Sequence, residues 1–186
     1  MFEVRHEVQF EEVFQVTSPS KLNWENGTAE FCGLSIKIAA RDYRLDFTTD
    51  VDLPGGKSCL SNPINVSVGP PSALSIVEEP GASDVYGGKA FIYQPLLHVV
   101  DAGGNIVERD SSSRVLASLY SNPRDGTLQP FNMTEVTVEE GITRFKKLYI
   151  AEAGERYRFK YSLWSASSRG VFEPTNITAL GKWSVV

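Results

Sequence analysis

Phe2, Val4, His6, Val8 and Phe10 alternate with Glu3, Arg5, Glu7, Gln9 and Glu11, the two-residue period of a strand with one face buried. Strand-type runs rich in β-branched and aromatic residues follow: 13–17, 29–38, 43–48, 64–68, 74–77, 91–100, 115–120, 135–138, 143–150 and 157–163. Gly, Pro, Asn and Asp cluster between them as turns; Asp101-Ala102-Gly103-Gly104-Asn105 supplies the positive φ of a hairpin between two apolar runs. No window of about 11 residues sustains an i, i+3, i+4, i+7 apolar stripe. The pattern predicts an all-β protein with strands every ~8–12 residues, as in sandwiches. Tyr157, Phe159 and Tyr161 fall on one strand face, which should be core, and the Tyr157 hydroxyl is either simply buried or held against a corner of the backbone.

The same pattern occurs twice. Gly27-Thr28-Ala29-Glu30-Phe31-Cys32-Gly33-Leu34-Ser35-Ile36 lies without gaps on Gly141-Ile142-Thr143-Arg144-Phe145-Lys146-Lys147-Leu148-Tyr149-Ile150. The same offset sets Tyr43, Leu45 and Phe47 on Tyr157, Phe159 and Tyr161. After a slip in the intervening loop, Pro63-Ile64-Asn65-Val66-Ser67 also meets Pro174-Thr175-Asn176-Ile177-Thr178, which would put Asn65 and Asn176 at one position of the last strand. A repeat of ~110 residues has the size of a domain, so two units in tandem are expected. Met1 aligns with Val115, so the runs at 74–77 and 91–100 have no counterpart in the first unit. That unit is expected to be truncated at its start, with an open edge and a partly uncovered core. Gly69-Pro70-Pro71-Ser72 joins the two, stiffened by its prolines.

Charge narrows the function classes. With 18 Lys+Arg against 23 Asp+Glu the 186-residue chain carries a net charge of −5, so no cationic field exists to hold nucleic acid. No apolar run approaches the ~20 residues of a membrane span, and Met1-Phe2-Glu3-Val4-Arg5 does not read as a secretion signal. Four Asn-x-Ser/Thr sequons begin at Asn26, Asn65, Asn132 and Asn176, although eight asparagines would give only about one by chance. They are candidate glycosylation sites. The two cysteines, Cys32 and Cys59, are replaced together in the second repeat, by Lys146 and approximately Gly170. That pattern suits a disulfide worth roughly 3 kcal/mol, the alternative being two reduced thiols.

Catalytic patterns are not found. His6 and His98 sit in alternating strands with no serine elbow nearby, and Gly55-Gly56-Lys57-Ser58 lacks the earlier glycine of a phosphate loop. The pairs Glu11/Glu12, Glu78/Glu79 and Glu139/Glu140 are adjacent, so on strands they would point to opposite faces. No cofactor is expected. Two sharper possibilities are a calcium site among Asp42, Asp46, Asp50 and Asp52, and an anionic-ligand face formed by Arg156, Arg158 and Lys160.

Taken together, Gly87-Gly88-Lys89-Ala90-Phe91, Gln94-Pro95, Asp101 to Val107, Gly126-Thr127-Leu128, Gly141 to Phe145, Leu148 and Tyr157-Arg158-Phe159 resemble the immunoglobulin-like repeats of very large cell-surface proteins, including filamin-type and invasin-type repeats. The resemblance implies tandem Greek-key β-sandwiches: residues 1–69 as the later part of one repeat, 70–72 as linker, 73–180 as a complete second repeat, and 181–186 as a tail or the start of another. It implies a non-catalytic spacer or adhesion module of a glycosylated extracellular protein, whose partners are neighbouring repeats, a cell-surface protein or a glycan. A cytoplasmic filamin-like scaffold that takes peptides by strand addition, and a glycan-binding accessory domain, are the alternatives.

Overall fold

The computed structural model describes residues 2–5, 14–16, 21–23, 28–31, 33–49, 52, 55–56, 58–80, 86–166 and 172–184. Within them the chain is all-β, with antiparallel ladders and a single 3-10 turn, and it divides into two compact units, Met1–Val68 and Gly69–Val186.

The first unit contains β1 (Phe2–Arg5), β2 (Phe14–Val16), β3 (Lys21–Asn23), β4 (Thr28–Glu30), β5 (Leu34–Ile36), β6 (Ala40–Tyr43), β7 (Asp46–Thr49), β8 (Ser58–Leu60) and β9 (Ile64–Val66). Strands β1, β7 and β8 form one sheet, while β2 pairs with β5, β3 with β4 and β6 with β9. The second unit contains β10 (Ala73–Glu78), β11 (Leu96–Val100), β12 (Arg114–Ser121), β13 (Leu128–Gln129), the 3-10 turn Phe131–Met133, β14 (Glu135–Thr137), β15 (Ile142–Arg144), β16 (Tyr149–Ile150), β17 (Tyr157–Ala166) and β18 (Phe172–Ser184). Its sheets run β10-β11-β15 and β14-β12-β17-β18, with β13 paired to β16.

Laying Gly27 on Gly141 superposes much of this pairing. Phe14 faces Ile36 and Gln15 faces Ser35 across β2 and β5; at the same offset Leu128 faces Ile150 and Gln129 faces Tyr149 across β13 and β16. Strands β3 and β4 fall on β14 and β15 residue for residue, but β3 pairs with β4 whereas β14 pairs with β12 and β15 with β11. Strand β1 falls on β12 with its register one place different, Phe2 facing Thr49 but Leu116 facing Ser162. Left-handed backbone recurs too: Gly33 (φ 70°) answers Lys147 (φ 59°), and Asp42 (φ 62°) answers Arg156 (φ 64°). Because of the left-handed residues at 33 and 147, the single strands expected over 29–38 and 143–150 are each broken in two, β4 and β5 in one unit and β15 and β16 in the other.

Three further expectations change. Of the run 91–100 only Leu96–Val100 is strand; the Gln94 side chain instead donates to the Phe91 and Leu148 carbonyls and accepts from the Leu148 N–H, replacing ladder bonds. Residues 181–184 continue β18 rather than opening a tail, with Ser184 facing Tyr157. The Pro63 and Pro174 strings do not correspond. Asp46 faces Leu60 and its counterpart Lys160 faces Leu180, so Asn65 lies beyond that rung and Asn176 before it. The β17–β18 hairpin extends to the Ala166–Phe172 rung, so similar Pro-x-Asn strings fall at different depths along the two hairpins.

The core of the second unit draws on both larger sheets. Leu74, Leu97, Val99 and Thr143 are buried on one, and Val115, Ala117, Tyr157, Phe159, Tyr161 and Leu163 on the other. Phe91 meets Phe159 edge-on at 5.7 Å between centroids, and Phe145 meets Tyr161 at 5.8 Å and 45°. The equivalent pair of the first unit, Phe31 and Phe47, lies at 5.2 Å and 46°.

Both readings of Tyr157 hold. The ring is fully buried, and its hydroxyl donates to the Glu152 carbonyl at 3.2 Å. Burial, with Glu152 adding to it, raises the phenol above its usual range. Gly126 permits this approach, since a Cβ there would lie 2.7 Å from the hydroxyl oxygen. The first unit repeats the arrangement at the same offset: Tyr43 donates to the Ile38 carbonyl at 3.1 Å.

Candidate functional site

The second unit carries a surface able to meet other molecules. Strand β15 ends one of its sheets and β14 ends the other. Edge strands present unpaired backbone donors and acceptors, so two edges side by side form a surface open to an added strand or a cover. A groove of about 1120 Å³ runs there, lined by Asn132, Met133, Glu135, Ile142, Arg144 and Lys146 among others. Arg114 pairs with Glu135 at 2.6 Å on its rim, and Arg144 approaches Glu78 at 3.7 Å. Both pairs are exposed, so each is worth at most about 1 kcal/mol. The 3-10 turn brings Asn132 to the groove; Thr134 closes that turn by donating its hydroxyl to the Phe131 carbonyl at 2.9 Å.

The sequons differ in setting. Asn26 lies outside the described residues. Asn65 is exposed in β9, and its side-chain oxygen accepts the Asp42 N–H at 3.0 Å. Asn176 is exposed within β18. Asn132 is exposed on the turn, and no hydrogen bond engages its amide among the described residues. Cys59 is exposed and carries a free thiol; its expected disulfide partner, Cys32, lies outside the described residues.

Arg158 and Lys160 share the half-buried face of β17 opposite the aromatic core, but the Arg158 Nε–H donates to the Gly181 carbonyl at 2.8 Å and its guanidinium lies 5.7 Å from the Tyr120 ring centroid. Arg156 precedes the strand in a left-handed conformation and is exposed. Of the aspartates, Asp50 lies outside the described residues. Asp42 is exposed, and one oxygen of Asp46 is buried with no hydrogen-bond partner among the described residues. No group of three His, Cys, Asp or Glu stands ready for a metal among the described residues, and no described helix is long and apolar enough to cross a membrane.

Sequence reasoning placed Asp101 in a turn but missed what its carboxylate does. Asp101 is 7% exposed and accepts the N–H groups of Gly103 and Asn105, at 2.8 and 2.9 Å, and that of Gly69 at 2.8 Å. The Asn105 side-chain amide adds a further donor, and Arg109 donates to the Gly69 carbonyl at 2.9 Å. Burial pushes the carboxyl pKa up, but the Gly69, Asn105 and Gly103 donors outweigh it and hold it below the usual range. Both backbone groups of Gly69, where the second unit begins, are thereby fixed. The only hint in the sequence was the Asp-x-Gly-x-Asn spacing. No protein-family model matches the chain, and no curated protein matches it.

Proposed function

We propose that this chain is a pair of immunoglobulin-like Greek-key repeats serving as a non-catalytic spacer and interaction module of a glycosylated extracellular or cell-surface protein. In immunoglobulin-type sandwiches the first, second and fifth main strands share one sheet, and the third, sixth and seventh share the other. The orders β10-β11-β15 and β12-β17-β18 follow that scheme, with β14 as an extra edge strand. The observation that carries the reading is the corner tyrosine at the start of the sixth strand, bonded to a carbonyl five residues upstream, which occurs as Tyr157 to Glu152 and again as Tyr43 to Ile38. Repetition of such a unit lengthens an array and multiplies its exposed edges. The sequon excess supports an exported protein.

The test is secretion of the whole chain from eukaryotic cells behind an added leader, followed by intact-mass measurement. The expected product carries N-glycans at more than one sequon. Secreted protein with every sequon unmodified would overturn the extracellular reading.

A further inference from the structure

We propose that Asn132 carries an N-linked glycan whose first N-acetylglucosamine seats on the Phe131 ring and whose chain covers the groove between β14 and β15; this rests on the extracellular reading above. Three observations meet at this point. Phe131 is 70% exposed, more than any other large hydrophobic residue described, and it directly precedes the sequon asparagine. Asn132 projects from a turn with its amide unengaged, whereas Asn65 already holds the Asp42 N–H. Asn132 also lines the groove that separates the free edges of the two sheets.

The chemistry suits the place. In a lipid-linked oligosaccharide donor the anomeric carbon is bonded to pyrophosphate oxygen. The Asn132 Nδ2 forms a bond to that carbon, the C–O bond breaks with its electron pair leaving on the lipid pyrophosphate, and one amide proton is released. One face of N-acetylglucosamine is lined by axial C–H groups, which pack on the negative face of an aromatic ring as other apolar and cationic groups do. A ring one residue from the attachment point meets the first sugar without ordering a long linker. Further sugars then extend from the rim across the groove, where a hydrated oligosaccharide excludes an incoming strand from both edges.

The experiment uses the secreted whole chain with Asn26→Gln, Asn65→Gln and Asn176→Gln, so that all sugar comes from Asn132, alongside the unmutated chain. Site-specific glycopeptide mass spectrometry is expected to find Asn132 occupied. Trimming to a single N-acetylglucosamine should leave the melting temperature of the second unit about 3–6 °C above that of protein stripped completely by amidase, the size expected of one aromatic contact in a unit of that length. Phe131→Ala should abolish that difference while leaving the sugar-free melting temperature unchanged. The stripped protein should self-associate in sedimentation velocity under conditions where the fully glycosylated form stays monomeric. An empty Asn132 in an unmutated chain whose other sequons are filled would overturn this proposal alone, as would a sugar-dependent shift that survives Phe131→Ala. If all four sequons are empty, the extracellular reading falls with it.

Discussion

The two units share part of their pairing but not their burial: β3 and β4 pair with each other, whereas their counterparts β14 and β15 pair with β12 and β11. Phe145, Leu148, Ile150, Tyr157, Phe159 and Tyr161 are completely buried; of their counterparts Phe31, Leu34, Ile36, Tyr43, Leu45 and Phe47 only Leu45 is buried, at 7% exposure, and the others are half-buried. The ring pair and the corner tyrosine nevertheless persist in both. Contacts within the stretch common to both units are therefore enough to set the turn, the tilt of the rings and the tyrosine bond. Full burial requires a layer that the second unit builds from β10, β11 and Phe91, and for which the first has no equivalent among its described residues. Apolar area removed from water scales the stabilisation, so the same residues should hold the two units with unequal strength.

The largest expected contrast is at the ring pair. Phe145→Ala should cost about 3–5 kcal/mol, and Phe31→Ala less than about 2 kcal/mol, measured by urea unfolding with a probe in each unit. Equal losses would break the comparison. Asp101→Ala removes the acceptor of three backbone N–H groups and should destabilise the second unit by about 2 kcal/mol without moving the first. Since the folded carboxyl titrates below its unfolded value, this contribution is complete above about pH 4 and is lost as pH falls further. An acid titration of Asp101→Ala should be correspondingly flatter over that interval. Tyr157→Phe should cost about 1 kcal/mol, and Tyr43→Phe less, because water can satisfy the exposed Ile38 carbonyl. Smallest of all is Tyr161→Phe. Its hydroxyl is buried without a partner among the described residues, and burial, reinforced by Glu79, pushes its ionisation far above the usual range. Removing that oxygen should be neutral or stabilising in the same unfolding assay.

Strand content, the offset of the repeat and the Asp101–Asn105 turn were legible in the sequence because each depends on patterns close along the chain, whereas for Tyr157 simple burial and a backbone bond both stayed open. The bend between β15 and β16 was hidden, since Lys147 gives no sign of a left-handed backbone, yet Gly33 marks the same bend in the other copy. Comparing repeats would have found it. Burial was less legible: Leu34 and Leu148 read alike, and only strands distant in sequence distinguish them. The Pro63 and Pro174 match misled because five residues of a hairpin fix composition without fixing the rung on which they pair. At the candidate site the sequons could be read directly, but the meeting of two sheet edges beside Asn132 is a matter of topology.

The grip of Asp101 and Arg109 on Gly69 tethers the backbone just ahead of β10. Force applied experimentally through the preceding chain would therefore load these charge-assisted bonds before the β10 ladder.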